Sequence, residues 1–179
     1  EEFEEGKDKK TDKIGLSEIL EWNDTVAFPL LPKQDSIDVL RKLRKSPWLS
    51  LNKEDQWRAR ALQEMNETTD RDKFCFDQEC PEGFWKVYKG ASFDTWKPDT
   101  GEYCAFADPN IILPWLQDKR IKANSSTRNS AYGEFSKEYV SDKNTLAPLR
   151  ARITFRDIAR STDSRTVRCA LVPPKTFIT

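Results

Sequence analysis

Apolar residues recur along this chain in two rhythms, one helical and one alternating. From Ile14 to Trp22 the apolar positions Leu16, Ile19 and Leu20 keep helical spacing. A second helix is predicted with Ser36 as N-cap and Ile37, Leu40 and Leu43 on one face, ending before Pro47. Between them, Phe28-Pro29-Leu30-Leu31-Pro32 reads as a proline-bounded extended segment. In Glu54 to Met65, the positions Trp57, Ala61, Leu62 and Met65 fit a helix. Phe84 to Tyr88 and Tyr103 to Phe106 read as strands joined through a Lys89 to Gly101 loop. Asp108-Pro109 supplies an N-cap and a proline at the first helical position, opening a helix that Pro114 restarts or kinks. Ala123 to Thr127 is a polar loop, and Tyr132 to Tyr139 reads as a short helix. The predicted class is therefore α+β, with a mixed or antiparallel sheet and flanking helices. Residues 1–13 form a charged, flexible entry without periodicity, and residues 14–179 are read as a single domain.

The alternating rhythm is most pronounced between Pro148 and Arg168. Read as a strand, this segment puts Arg150, Arg152, Arg156 and Arg160 on one face. Ala151, Ile153, Phe155 and Ala159 take the other, which is the face expected to pack on a core. A Ser-Thr-Asp-Ser turn from Ser161 to Ser164 follows, then a second strand from Thr166 to Val172. Four like charges on one sheet face repel, so stability does not ask for them. Surface ion pairs with nearby carboxylates such as Asp157 and Asp163 would return only about 0 to 1 kcal/mol each. Guanidinium forks match phosphates and guanine edges, so duplex DNA is the expected counter-charge. Arg152, Arg156, Arg160 and Arg165 are the candidate contacts, with Ser161 and Thr162 as hydroxyl donors. In the loop Tyr88 to Trp96, Phe93 and Trp96 are expected to plug a core edge while Lys89 and Ser92 face phosphate. The basic cluster Lys42, Arg44 and Lys45 is explained by the C-terminal end of its own helix.

Net charge changes the picture only by its distribution. The 30 basic and 30 acidic residues cancel, so a nucleic-acid footprint has to come from segregation. Segregation is visible, with Glu1, Glu2, Glu4 and Glu5 at one end and arginines in the last third. Cys75, Cys80, Cys104 and Cys169 lack the paired spacing of zinc ribbons and read as reduced, packed thiols rather than metal ligands. No apolar run is long enough to span a bilayer, so the expected compartment is the cytoplasm and no membrane partner is expected.

Three ordered blocks carry a family resemblance. They are Trp57-Arg58-Ala59-Arg60 with Glu64 to Asp70; Val87 to Trp96 with Pro98 to Tyr103; and Ala151 to Thr166. Together they resemble the region downstream of the catalytic core in large prokaryotic adenine-N6 DNA methyltransferases. These include the type IIG-like enzymes of restriction-modification and phage-defence systems. The resemblance implies a target-recognition-like fold and a fragment of a longer protein. Its partners would be double-stranded DNA and the parent's methyltransferase core, and S-adenosylmethionine would be bound elsewhere in that parent. It also offers an extended strand as the alternative for Glu54 to Met65, because the family block often carries a proline near position 61.

The fragment itself is expected to be catalytically inert. Its six glycines are unclustered, so it lacks the Gly-rich turn that approaches S-adenosylmethionine. Asp108-Pro109-Asn110-Ile111 lacks the second proline and the aromatic of the adenine-holding tetrad, and its role as a helix start is sufficient. Pro98-Asp99 has no suitably spaced acidic-x-Lys partner for a metal-dependent nuclease, and the absence of histidine removes imidazole base chemistry. The rival reading is a structural or protein-interaction domain of the same parent, without direct DNA contact.

Overall fold

The longest helix starts where the sequence places its cap, at Asp108. The computed structural model describes residues 15–22, 35–47, 61–125, 131–133, 135–158 and 167–179. It divides into two compact units, Glu1–Arg60 and Ala61–Thr179, where the sequence suggests one domain over 14–179. In the first unit, α1 (Leu16–Trp22) and α2 (Asp35–Arg44) match the two expected helices, with Ser36 inside the first turn rather than at the cap. The Arg41 fork joins them, placing Nε 2.7 Å and Nη2 3.3 Å from the two Glu18 carboxylate oxygens. The entry residues 1–13, the segment Phe28–Pro32, and Trp57 to Arg60 lie outside the described residues.

The second unit is built on a three-stranded mixed sheet in the order β2-β1-β5. β1 (Trp85–Tyr88) runs antiparallel to β2 (Ala105–Ala107), as the two predicted strands suggest. β5 (Thr176–Ile178) was not foreseen as a strand, and it lies parallel to β1 with Val87 opposite Phe177. Its three residues are too short to show a period, and only the parallel partner 90 positions upstream makes them a strand. Cys75 adds an isolated bridge to the free edge of β2, exchanging both backbone hydrogen bonds with Phe106 at 2.8 Å.

α3 (Pro109–Asn124) covers one face of this sheet. The Asp108 carboxylate accepts from the Asn110 N–H at 2.8 Å and caps it, and the helix runs on through Pro114 without restarting. Ile112 and Leu116 join Met65, Val87, Ala105, Ala107, Leu146 and Phe177 in the main core. Trp85 stacks on Phe177 with ring centroids 5.3 Å apart. A short α4 (Lys137–Ser141), capped by Ser136, replaces the longer helix expected from Tyr132. Among the described residues no helix is long and apolar enough to cross a membrane.

The opposite face is covered by a two-stranded antiparallel hairpin, β3 (Arg152–Phe155) and β4 (Cys169–Val172). Ala170 and Val172 pack with Tyr88 and Phe93 into a second core, flanked by Tyr103 and Ile178. The strand is shorter than expected, since Ala147–Leu149 before it is a single tight 3-10 turn. The whole is α+β with one mixed and one antiparallel sheet.

Candidate nucleic-acid interface

Register decides which face of β3 meets the core. Arg152 lies opposite Val172 and Thr154 opposite Ala170, so these four side chains share the inward face. Ile153 lies opposite Leu171 and both point outward, with 69% and 63% of their surface exposed. Phe155 is 50% exposed on the same outer face. Within β3 the expected orientation is therefore inverted: Arg152 is turned in, and Ile153 and Phe155 are turned out. The cause is tertiary. The guanidinium groups of Arg152 and Arg156 find acceptors supplied by distant parts of the chain.

Arg152 meets Glu64, and both side chains are nearly buried, at 14% and 11% exposure. Arg152 Nε lies 2.8 Å from Glu64 Oε1, and Nη2 donates to Glu64 Oε2 at 3.0 Å and to the Thr176 carbonyl at 2.9 Å. The Ile178 N–H donates to the same Glu64 oxygen at 3.1 Å, so the carboxylate fastens β5 as well. Burial pushes the Glu64 carboxyl up, while the charge and hydrogen bonds of Arg152 oppose that shift. Arg156 sits at the end of the hairpin, its Nη2 donating to the Phe93 carbonyl at 2.9 Å and lying 3.9 Å from Asp94 Oδ2. Arg168, whose carbonyl accepts from the Arg156 N–H, brings its own guanidinium to 3.7 Å from the same Asp94 oxygen. Arg152 and Arg156, expected as DNA contacts, are thus engaged inside the protein. Arg150 is exposed.

The loop from Lys89 to Gly101 is ordered by its own hydrogen bonds. Ser92 is fully buried, and its hydroxyl accepts from the Lys89 N–H at 2.9 Å, so it faces the interior rather than a phosphate. Lys89 is half-buried. Phe93 is buried as expected, whereas Trp96 is 93% exposed and plugs nothing. Nothing in the sequence marks Trp96 as different from Phe93, because both are large aromatics flanked by polar residues.

Asp99 also has a partner that the sequence conceals. Lys86 Nζ donates to the Tyr103 hydroxyl at 2.6 Å and to Asp99 at 3.3 Å, and the Tyr103 hydroxyl donates to Asp99 at 3.0 Å. Burial resists ionisation of Asp99, yet the Tyr88 hydroxyl, the Gly101 N–H, Tyr103 and Lys86 outweigh it and hold the carboxyl below its ordinary value. The hydrogen bond to Tyr103 raises Lys86 above the usual lysine range. This is a closed polar network with one carboxylate, not a pair of acids for a metal. All four cysteines are free thiols, and burial, with Glu67 nearby, pushes Cys104 up to about 11.

Arg160, Ser161, Thr162 and Arg165 lie outside the described residues, in the connection between β3 and β4. Compared with family models, with curated proteins and with solved structures, the chain matches none.

Proposed function

We propose that this chain is a DNA target-recognition region of an adenine-N6 DNA methyltransferase from a restriction-modification or phage-defence system. It would position duplex DNA for a separate S-adenosylmethionine-dependent catalytic domain, which flips the target base. One observation supports the reading most strongly. The three blocks that carry the family resemblance converge in space: Glu64 of the first holds Arg152 of the third, and Phe93 and Asp94 of the second hold Arg156. On this reading Arg152 and Arg156 are positioning residues that fix the two ends of β3. Contact with DNA falls to the connection bearing Arg160, Ser161, Thr162 and Arg165, together with Lys89.

The test is a titration of the full chain with duplex DNA across a salt series. Binding should weaken steeply with salt, and Arg160→Ala with Arg165→Ala should reduce the slope by about 0.9 for each phosphate contact removed. Salt-independent binding, or a double variant indistinguishable from wild type, overturns the proposal. A second reading, an interaction module of the same parent, is favoured by the outward apolar stripe of Ile153, Phe155 and Leu171. It requires that duplex DNA not bind at any salt concentration.

A further inference from the structure

We infer that Trp96 is a nucleic-acid contact, an aromatic blade that enters the base stack of the bound duplex. This deepens the DNA-recognition reading and rests on it. Trp85 and Trp115 are partly buried against the main core, whereas Trp96 leaves 93% of its surface to solvent. Its backbone is also held in the left-handed region, at φ 63, which a side chain of this bulk disfavours. Glycine or asparagine would fill that position without cost.

The mount is rigid. Asp94 and Lys97 exchange backbone hydrogen bonds of 2.9 and 2.8 Å around Thr95-Trp96, and the Asp94 carboxylate accepts from the Thr95 N–H at 2.8 Å. Behind the turn, Phe93 is buried and its carbonyl takes the Arg156 guanidinium. The Thr100 N–H donates to the Ser92 carbonyl at 2.9 Å, and its hydroxyl to the Ala91 carbonyl at 2.7 Å. A fixed turn therefore presents a large apolar ring in a strained backbone conformation.

The surroundings select the partner. An apolar protein pocket would meet an apolar rim, but the rim of Trp96 is Asp94, Thr95 and exposed Lys97. Arg156 and Arg168 both reach Asp94, at 3.9 and 3.7 Å, so two guanidinium groups lie against the first residue of the turn that carries Trp96. An exposed aromatic ring on a polar turn, with an exposed lysine next to it in the chain, is the footprint of base stacking next to a phosphate track.

The test compares wild type, Trp96→Ala and Trp96→Phe on a mixed-sequence duplex carrying 2-aminopurine, at several salt concentrations. Thermal unfolding of each variant confirms that it is folded. Trp96→Ala should weaken binding by about 5- to 150-fold, the range for losing one stacked base, with the salt slope unchanged. It should also abolish the rise in 2-aminopurine emission that reports unstacking, and Trp96→Phe should restore most of both. If Trp96→Ala binds like wild type while wild type shows salt-dependent binding, this inference falls and DNA recognition stands. If wild type binds no duplex at any salt concentration, both fall.

Discussion

Two buried charges meet at Arg152 and Glu64, paired at 2.8 Å. The Arg152 fork serves both Glu64 oxygens and the Thr176 carbonyl, while Glu64 also takes the Ile178 N–H. Removing one partner strands the other without solvent. Arg152→Ala is expected to cost about 3 to 5 kcal/mol, measured by denaturant unfolding, and a loss below 1 kcal/mol would refute the buried-pair account. Left-handed residues offer the opposite sign. Lys175, at φ 62 in the turn before β5, should gain about 1 kcal/mol on Lys175→Gly, because the steric penalty of its Cβ disappears. Its N–H bond to the Pro148 carbonyl, 2.7 Å, remains available to glycine.

At the scale of elements, polar networks fasten neighbours that apolar packing only brings close. Buried Arg120 of α3 donates to the Thr145 hydroxyl and to the Asp142 carbonyl, both at 2.9 Å, and so joins α3 to the turn after α4. Lysine cannot reach two separated acceptors with one ammonium, so Arg120→Lys should cost about 1 to 3 kcal/mol by thermal unfolding. The Lys86–Tyr103–Asp99 network fastens β1 to the end of the long loop. Asp99 titrates below 3.8 in the fold, so its stabilisation is complete above that value and lost as pH falls through the lower folded one. Lys86 titrates above 10.5, so its share is present below that value and lost at higher pH. Melting temperatures measured between about pH 4 and pH 2 should fall less steeply for Asp99→Asn than for wild type. Equal slopes would mean that the network carries no linked proton.

Across the whole molecule, the core clusters, both sheets and the Arg152–Glu64 pair all belong to residues 61–179. That segment should therefore fold alone with a cooperative transition. A shorter piece starting at residue 68 lacks Glu64 and Met65 and should not, which circular dichroism and unfolding curves decide directly. The duplex titration belongs to this scale too, because phosphate contacts add over the surface rather than residing in one bond.

What the chain dictates on its own is local. Cap chemistry placed α3 at Asp108-Pro109, helical spacing placed α1 and α2, and short apolar runs placed β1 and β2, since each depends on neighbours within one turn or one strand. The alternation in Arg152 to Arg156 separates two faces, yet period two does not say which one is buried. That choice came from β4, whose Ala170 and Val172 face the core, and from Glu64, 88 residues upstream of Arg152. The same distance effect hid β5, whose partner β1 lies 90 positions upstream. Burial and pairing are properties of what surrounds a residue, and only the folded chain assembles those surroundings.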